Sequence, residues 1–133
     1  MDKNYTIQYK GDLRCEAQHL RSGSELTTDA PIDNNGKGEK FSPTDLVATA
    51  LTTCILTVMG IRFRQKGREL TDIDCDVKKI MASDPRRIQE IIIYFDFKEN
   101  KFNEGEMKLI KELVYHCPVS ESLSKDIKIT TNL

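Results

Sequence analysis

The N-terminal stretch of the chain alternates apolar and polar residues around a turn signal. Apolar side chains recur at every second position in Tyr5–Tyr9 and again in Leu13–Ala17, and Gly11-Asp12 separates the two runs. Alternation with a period of two is typical of a β-strand with one face towards a core, and the glycine marks a chain reversal. The pattern therefore predicts a β-hairpin, followed by a third short strand near residues 24–28.

The next stretch, residues 29–40, is polar and rich in turn residues, which predicts a loop. It contains no GxxxxGK[ST] pattern, so its glycines are interpreted as turn residues and not as a phosphate cradle.

A long apolar helix is predicted after this loop. Ser42 suits the N-cap, Pro43 the first helical position, and Asp45 can close a capping box three residues after Ser42. The helix should run to about Gln65, and its first four turns are apolar nearly all round, so it needs covering on every side. The apolar run 46–61 is interrupted by four threonines and is shorter than the roughly 20 residues of a membrane span. We therefore expect the buried helix of a soluble protein.

The second half of the chain predicts a strand pair, two helices and a closing strand. Residues 72–81 alternate, with Ile73, Cys75, Val77 and Met81 on one face, and Ser83-Asp84-Pro85 is a turn signal. The remaining predicted elements are a strand over 88–97, a helix from Asn103 to about His116, a short helix from Pro118 to about Ser124, and a strand over 126–131. This order predicts a single α+β domain over residues 1–133.

Composition excludes several classes of function. The 133 residues carry 20 basic and 21 acidic side chains, a formal net charge of −1, which predicts no binding to nucleic acid or to an anionic membrane. The first fifteen residues contain no apolar run of the signal-peptide kind, so we expect a cytoplasmic protein. In that reducing compartment the four cysteines are expected to be free thiols.

The four cysteines differ in the chemistry their positions allow. They stand at 15, 54, 75 and 117 without a CxxC or HxxxH pattern, which excludes zinc fingers and thioredoxin-like motifs. Cys15 and Cys75 are in phase with inward strand positions and are interpreted as packing residues. Cys54 lies within the apolar helix, where a packing or a chemical role is open. Cys117 precedes a proline helix start, where backbone N–H groups favour a thiolate, although any residue before such a proline has this appearance.

Two motifs resemble those of the OsmC/Ohr family, and more closely those of its broad OsmC-like branch. The segment FSPTDLVATALTTC, residues 41–54, resembles the family's helix start that runs through small residues to a cysteine. The segment HCPVS, residues 116–120, resembles the family's Cys-Pro-x-Ser at the head of a short helix, 63 positions after the first cysteine. The resemblance covers essentially the whole chain.

The resemblance implies a fold, an activity and partners. The implied structure is an OsmC-like fold, with antiparallel β-sheets around a long central helix in an interwoven homodimer that has its sites at the subunit interface. The implied activity is a thiol peroxidase acting on organic hydroperoxides, with Cys54 as the peroxidatic and Cys117 as the resolving cysteine. A dithiol reductant, lipoyl-type in some members, would restore both thiols. No metal or other cofactor is expected.

The chain departs from the hydroperoxide reductases around the peroxidatic cysteine. Their activating Glu follows the motif proline, where this chain has Thr44, and the nearest carboxylate is Asp45. Nine residues along a helix place Asp45 on the face opposite Cys54 and roughly 13 Å away along the axis. Capping is therefore the favoured role for Asp45, with a contact across a dimer interface as the functional alternative. For the activating Arg, Arg21 at a predicted strand end is preferred to Arg14.

Three other interpretations stay open from the residues alone. One is a non-catalytic member of the same fold that binds a small apolar ligand between subunits or acts as a redox sensor. The second is a Cys54–His116 hydrolase pair, in which a neutral imidazole activates the thiol. The third is a metal site built from Cys54, Cys117 and His116. Without a neighbouring cation, a cysteine buried in mid-helix should have a raised pKa.

Overall fold

The computed structural model describes residues 2–133 and confirms the α+β class. The strands are β1 Tyr5–Gly11, β2 Arg14–His19, β3 Glu25–Asp29, β4 Asp74–Ala82, β5 Arg87–Asp96 and β6 Lys128–Thr131. The helices are α1 Pro43–Gln65, α2 Glu104–His116 and α3 Pro118–Ser122, with a 3-10 turn at Ile32–Asn34 inside the predicted loop. The chain forms two compact units, one up to Val47 and one from Ala48 to Leu133.

The first unit contains the antiparallel sheet β1-β2-β3. The predicted hairpin is confirmed, and its two turn residues, Asp12 and Leu13, have φ of 54° and 62°. Positive φ at both positions matches the twist of the flanking strands. Ile7, Ala17 and Leu26 are aligned across the three strands on one face.

That face is not the inner face that the alternation predicted. Ile7 is 71% exposed, and His19 is exposed beside Tyr5. Three short strands bury little on their own, so an apolar face of this kind needs a further layer.

Helix α1 starts as predicted. The Ser42 N–H donates to Asp45 Oδ2 at 2.9 Å, and the Asp45 N–H donates to Ser42 Oγ at 3.1 Å, which closes the capping box. The single chain covers only part of the helix surface. One side of the helix is buried, and its residues recur at every fourth position: Leu51, Ile55, Met59 and Phe63. The opposite positions, Ala50, Thr53, Thr57 and Ile61, are exposed.

By length and apolar composition alone, α1 would suffice to cross a membrane, as the core helix of a soluble protein also would. Its buried stripe packs into the core cluster of the second unit, as expected for the core helix of a soluble protein.

The second unit contains the sheet β4-β5-β6, and its central strand carries the core. Strands β4 and β5 pair antiparallel, whereas β6 pairs parallel to β5, so this sheet is mixed and not purely antiparallel. Helices α2 and α3 supply the long crossover that a parallel pairing requires. A register shift between Ile80 and Met81 interrupts the alternation of β4, and Val77, predicted to face inward, is 42% exposed. The core joins α1 to these side chains: Ile91, Ile93, Phe95, Ile110, Leu113 and Val114.

Candidate active site

Cys54 and Cys117 are brought together in the second unit. Cys54 lies in the middle of α1, and Cys117 forms the corner between α2 and α3. Cys54 packs against the buried cluster that contains Cys117, and each thiol shifts the pKa of the other, although the residues are 63 positions apart in the chain. Cys117 is 0% exposed and belongs to the apolar core, whereas Cys54 is partly exposed and packs against that core.

The corner that holds Cys117 follows from the local sequence. Pro118 disfavours helical geometry at the preceding residue, so Cys117 is extended, with φ −86° and ψ 160°, and caps α3. The Ser120 hydroxyl accepts the Cys117 N–H at 3.0 Å and lies 3.3 Å from Cys117 Sγ. The Ser120 N–H lies 3.4 Å from the same sulfur. The short helix therefore presents a hydroxyl and a backbone donor to one buried thiol.

These contacts affect the pKa of the Cys117 thiol. Burial by itself raises the pKa of the Cys117 thiol. The Ser120 hydroxyl and N–H, with smaller effects from Cys54 and the Val119 backbone, outweigh burial, so the pKa of Cys117 lies below its ordinary value. The direction of this shift is the one expected for a cysteine at the head of α3.

Cys54 has the opposite balance. Burial raises the pKa of its thiol, the Val119 N–H opposes this, and the adjacent Cys117 sulfur raises the pKa further. The raised pKa expected for a mid-helix cysteine without a cation is therefore confirmed. The two cysteines therefore differ in exposure and in acidity. Cys54 is partly exposed and the pKa of its thiol is raised, whereas Cys117 is buried and the pKa of its thiol is lowered.

The other predicted site residues lie in the first unit or at its boundary. Asp45 is engaged in the capping box, with Thr44 Oγ1 3.3 Å from Ser42 Oγ. Arg14 forms a bidentate ion pair with Asp29. Arg21 is exposed in the turn between β2 and β3.

His116 does not join the two cysteines. Its side chain is 68% exposed at the end of α2, and its Nδ1 lies 3.4 Å from Glu121 Oε1. The interpretation of Cys54 and His116 as a hydrolase pair is therefore wrong. The same placement removes the third ligand from the metal alternative, and no group of three metal-ligating side chains occurs within residues 2–133.

Ser120 and the Val119 backbone are functional groups that the sequence reasoning did not assign. The signal was present in the Cys-Pro-x-Ser spacing, because a residue three positions after an N-cap returns its side chain to the cap backbone. What the spacing does not reveal is that the Ser120 hydroxyl also reaches the sulfur.

Comparisons with known proteins identify a family and a shared fold. The family model for OsmC-like protein matches residues 36–132. A Psychrobacter arcticus structure, provisionally named as an osmotic stress induced and detoxification response protein, is 40% identical, with a TM-score of 0.92, and the match covers 98% of this chain and 95% of that one. A comparison with curated proteins finds no significant match.

More distant structures share the fold. The OsmC-like protein of Mycoplasma pneumoniae is 21% identical, with a TM-score of 0.75 and coverage of 99% and 96% of the two chains. A Legionella pneumophila organic hydroperoxide resistance protein, OsmC, is 12% identical, with a TM-score of 0.70 and coverage of 97% and 95%. With an α+β fold and two motif cysteines in contact, and with a matching family model, this chain belongs to the OsmC-like protein family.

Proposed function

We propose that this protein is a cytoplasmic, homodimeric thiol peroxidase that reduces organic hydroperoxides. Cys54 is the peroxidatic cysteine and Cys117 the resolving cysteine. The observation that carries the proposal is that Cys54 packs against the buried cluster containing Cys117 and each thiol shifts the pKa of the other, because a disulfide needs its two sulfurs to approach to about 2.0 Å. Cys54 is the partly exposed residue of the pair and Cys117 the buried one, so Cys54 is the one proposed to meet the peroxide.

The proposed reaction oxidises the pair by two electrons. The Cys54 sulfur attacks one peroxide oxygen, the O–O bond breaks, and the alkoxide leaves as an alcohol after taking a proton. Cys54 is then a sulfenic acid. The Cys117 thiolate attacks the Cys54 sulfur and displaces hydroxide, which leaves as water, and a disulfide forms. An external dithiol, lipoyl-type or similar, returns two electrons and two protons to the pair.

The surroundings of the pair favour an apolar peroxide. Cys117 belongs to the buried apolar cluster, and Cys54 and Val119 pack against it. These apolar surroundings therefore accommodate an apolar substituent of the peroxide better than they accommodate water. The printed name of the Legionella relative, an organic hydroperoxide resistance protein, supports the same substrate class.

A second copy of the chain is proposed to cover the exposed apolar surfaces. The β1-β2-β3 sheet exposes Tyr5, Ile7, Tyr9 and Leu26 on one face, and α1 exposes Ile61. Apolar side chains exposed on one face of a sheet or helix are typical of an interface. In such a dimer, a basic side chain such as Arg21 and the carboxylate of Asp45 are the candidates for contact with the site across the interface.

Turnover of cumene and tert-butyl hydroperoxide with a dithiol reductant tests the proposal. We expect Cys54→Ser to abolish turnover and Cys117→Ser to abolish disulfide formation. Cys75→Ser is the matched control and should keep native turnover, because Cys75 lies on β4 and its raised pKa leaves it unreactive. Absence of Cys54-dependent turnover in the native protein would refute the peroxidase.

A second candidate is a non-catalytic protein that binds a small apolar ligand between subunits or senses redox changes. The raised pKa of Cys54 and the engagement of Arg14 with Asp29 favour it. Thiol counting after one equivalent of peroxide separates the two candidates. Loss of two thiols linked as Cys54–Cys117 supports the peroxidase, and unchanged thiols support the binding protein.

A further inference from the structure

A cavity of about 410 Å³ lies in the second unit, between the end of α2, the short helix α3 and strand β6. Its volume is within the range of about 300–1,000 Å³ that is typical of small-molecule sites. The wall includes Ser120, whose hydroxyl lies 3.3 Å from Cys117 Sγ, so the cavity adjoins the corner between α2 and α3. Within residues 2–133, neither Cys54 nor Cys117 lines it. The cavity is therefore separate from the cysteine pair.

The larger part of the cavity wall is apolar. Four side chains supply it: Tyr115, Leu123, Ile127 and Ile129. The leucine and the two isoleucines are half-buried and pack against the core of the unit, which holds this part of the wall in place. The Tyr115 ring is 51% exposed, and its hydroxyl donates to the Ile129 carbonyl oxygen at 3.3 Å, which ties the tyrosine to β6. An aromatic ring beside branched aliphatic side chains suits the body of an aromatic ligand.

The charged side chains of the cavity wall favour an anion. Two lysines, Lys125 and Lys128, line the cavity, and Glu121 is the one carboxylate among its lining residues in the part of the chain that the structure describes. His116 also lines the cavity, and its Nδ1 lies 3.4 Å from Glu121 Oε1, so the ring contacts that carboxylate.

Both lysines are available to a ligand because their ion pairs are long and exposed. The Lys125 side chain is 75% exposed, with Nζ 3.8 Å from Glu121 Oε1. The Lys128 side chain is 72% exposed, with Nζ 4.0 Å from Glu90 Oε2, an oxygen that also accepts the Thr130 hydroxyl. Exposed pairs of this kind contribute little to stability, so the ammonium groups can turn to a bound anion at little cost.

We propose that this cavity binds a small molecule with an aromatic body and one carboxylate. The apolar wall takes the aromatic body, and the ammonium groups of Lys125 and Lys128 receive the carboxylate. A cationic ligand would meet two like charges, and a neutral ligand would gain nothing from them. This binding activity goes beyond the proposed peroxidase reaction and does not depend on it.

The test is the binding of naphthoate to the native protein, measured by isothermal titration calorimetry, with naphthamide as the neutral analogue of the same shape. We expect saturable binding of naphthoate with one ligand per chain, and binding of naphthamide about tenfold weaker, because the amide loses both lysine contacts. Backbone amide shifts in the NMR spectrum, expected over residues 115–129, locate the ligand.

Substitutions of the charged side chains test the sign of the effect. Lys125→Gln and Lys128→Gln should each weaken naphthoate binding about two- to fivefold. Glu121→Gln should strengthen it, because the carboxylate that competes for Lys125 is removed. Lys108→Gln is the matched control, since Lys108 is exposed on α2 but does not line the cavity.

Two substitutions of Tyr115 test the apolar wall. Tyr115→Ala removes the ring and should weaken binding of naphthoate, whereas Tyr115→Phe keeps the ring, loses only the hydrogen bond to Ile129 and should bind as the native protein does. Because the side chain is half exposed, both variants should fold.

Three results would overturn the proposal. One is the absence of saturable naphthoate binding to the native protein, and another is naphthamide binding as tight as that of naphthoate. The third is native affinity in a double variant that carries both Lys125→Gln and Lys128→Gln. None of these results bears on turnover of hydroperoxides by Cys54, so failure of this inference is distinguishable from failure of the proposed function.

Discussion

Arg14 donates two hydrogen bonds to the carboxylate of Asp29, with Nε to Oδ1 at 2.6 Å and Nη2 to Oδ2 at 2.8 Å, although the Asp29 side chain is 1% exposed. The Glu39 N–H also donates to this carboxylate at 3.2 Å, which ties the loop after β3 to the sheet. Arg14 was one of two sequence candidates for activating Cys54. Its guanidinium is instead the counter-ion of a buried carboxylate, and bidentate pairs of this kind have strict geometry.

Asp29→Asn should make the protein less stable at neutral pH and less sensitive to acid. Hydrogen bonds from Arg14 hold the pKa of Asp29 below its ordinary value of 3.8, so its contribution is present above about pH 4 and is lost as pH falls through the lower, folded-state pKa. Urea unfolding at pH 7 and over pH 2–5 measures both effects. Glu39→Gln is the matched control, since Glu39 is exposed and 3.7 Å from Arg14. Equal acid sensitivity in Asp29→Asn and the native protein would contradict the prediction.

Asp45→Ala should cost stability and spare the chemistry. Asp45 accepts the Ser42 N–H in the capping box, and loss of a cap of this kind costs about 1 kcal/mol. Ser42→Ala removes the other half of the box and should cost a similar amount. Urea midpoints and the rate of Cys54 oxidation are the two measurements. A variant of native stability that has lost oxidation of Cys54 would assign Asp45 to the site across an interface.

Ile7→Glu should dissociate the proposed dimer. Ile7 lies on the exposed apolar face of the β1-β2-β3 sheet, opposite Ala17, and a buried unpaired carboxylate there would be costly. Gln8→Glu is the matched control, because neighbouring residues of a strand point to opposite faces. Sedimentation velocity measures the assembly. A dimer that survives Ile7→Glu and is lost in Gln8→Glu would place the interface on the other face of the sheet.

Cys75 should resist modification in the folded protein. Burial, with smaller effects from Asp74 and Asp76, raises the pKa of its thiol to about 11, so only about 0.1% is thiolate at pH 8. Iodoacetamide at pH 8, followed by peptide mass spectrometry, should label Cys75 only after unfolding. Labelling of Cys75 at the rate of a free peptide thiol would show that it is neither buried nor perturbed.

Local elements of this protein are predictable because their signals are local. The alternation in Tyr5–Ala17, the Ser42-Pro43 helix start and the Asn103-Glu106 capping box each depend on residues within one or two turns of chain. The capping box at Ser42, the helix start at Asn103 and both antiparallel strand pairs form as predicted. The parallel pairing of β6 with β5 was not predicted, because it depends on where the chain returns after α2 and α3.

The sequence by itself determined the α+β order of elements and the two motifs that distinguish Cys54 and Cys117 from the other cysteines. Only the tertiary structure decided which of the two thiols is enclosed, which is open, and where the charge between them is stable. The reason is physical: the pKa of a thiol depends on burial and on donors from residues distant in the chain, and no spacing encodes their approach. A helix from one part of the chain and a corner from another, 63 positions later, make one chemical unit.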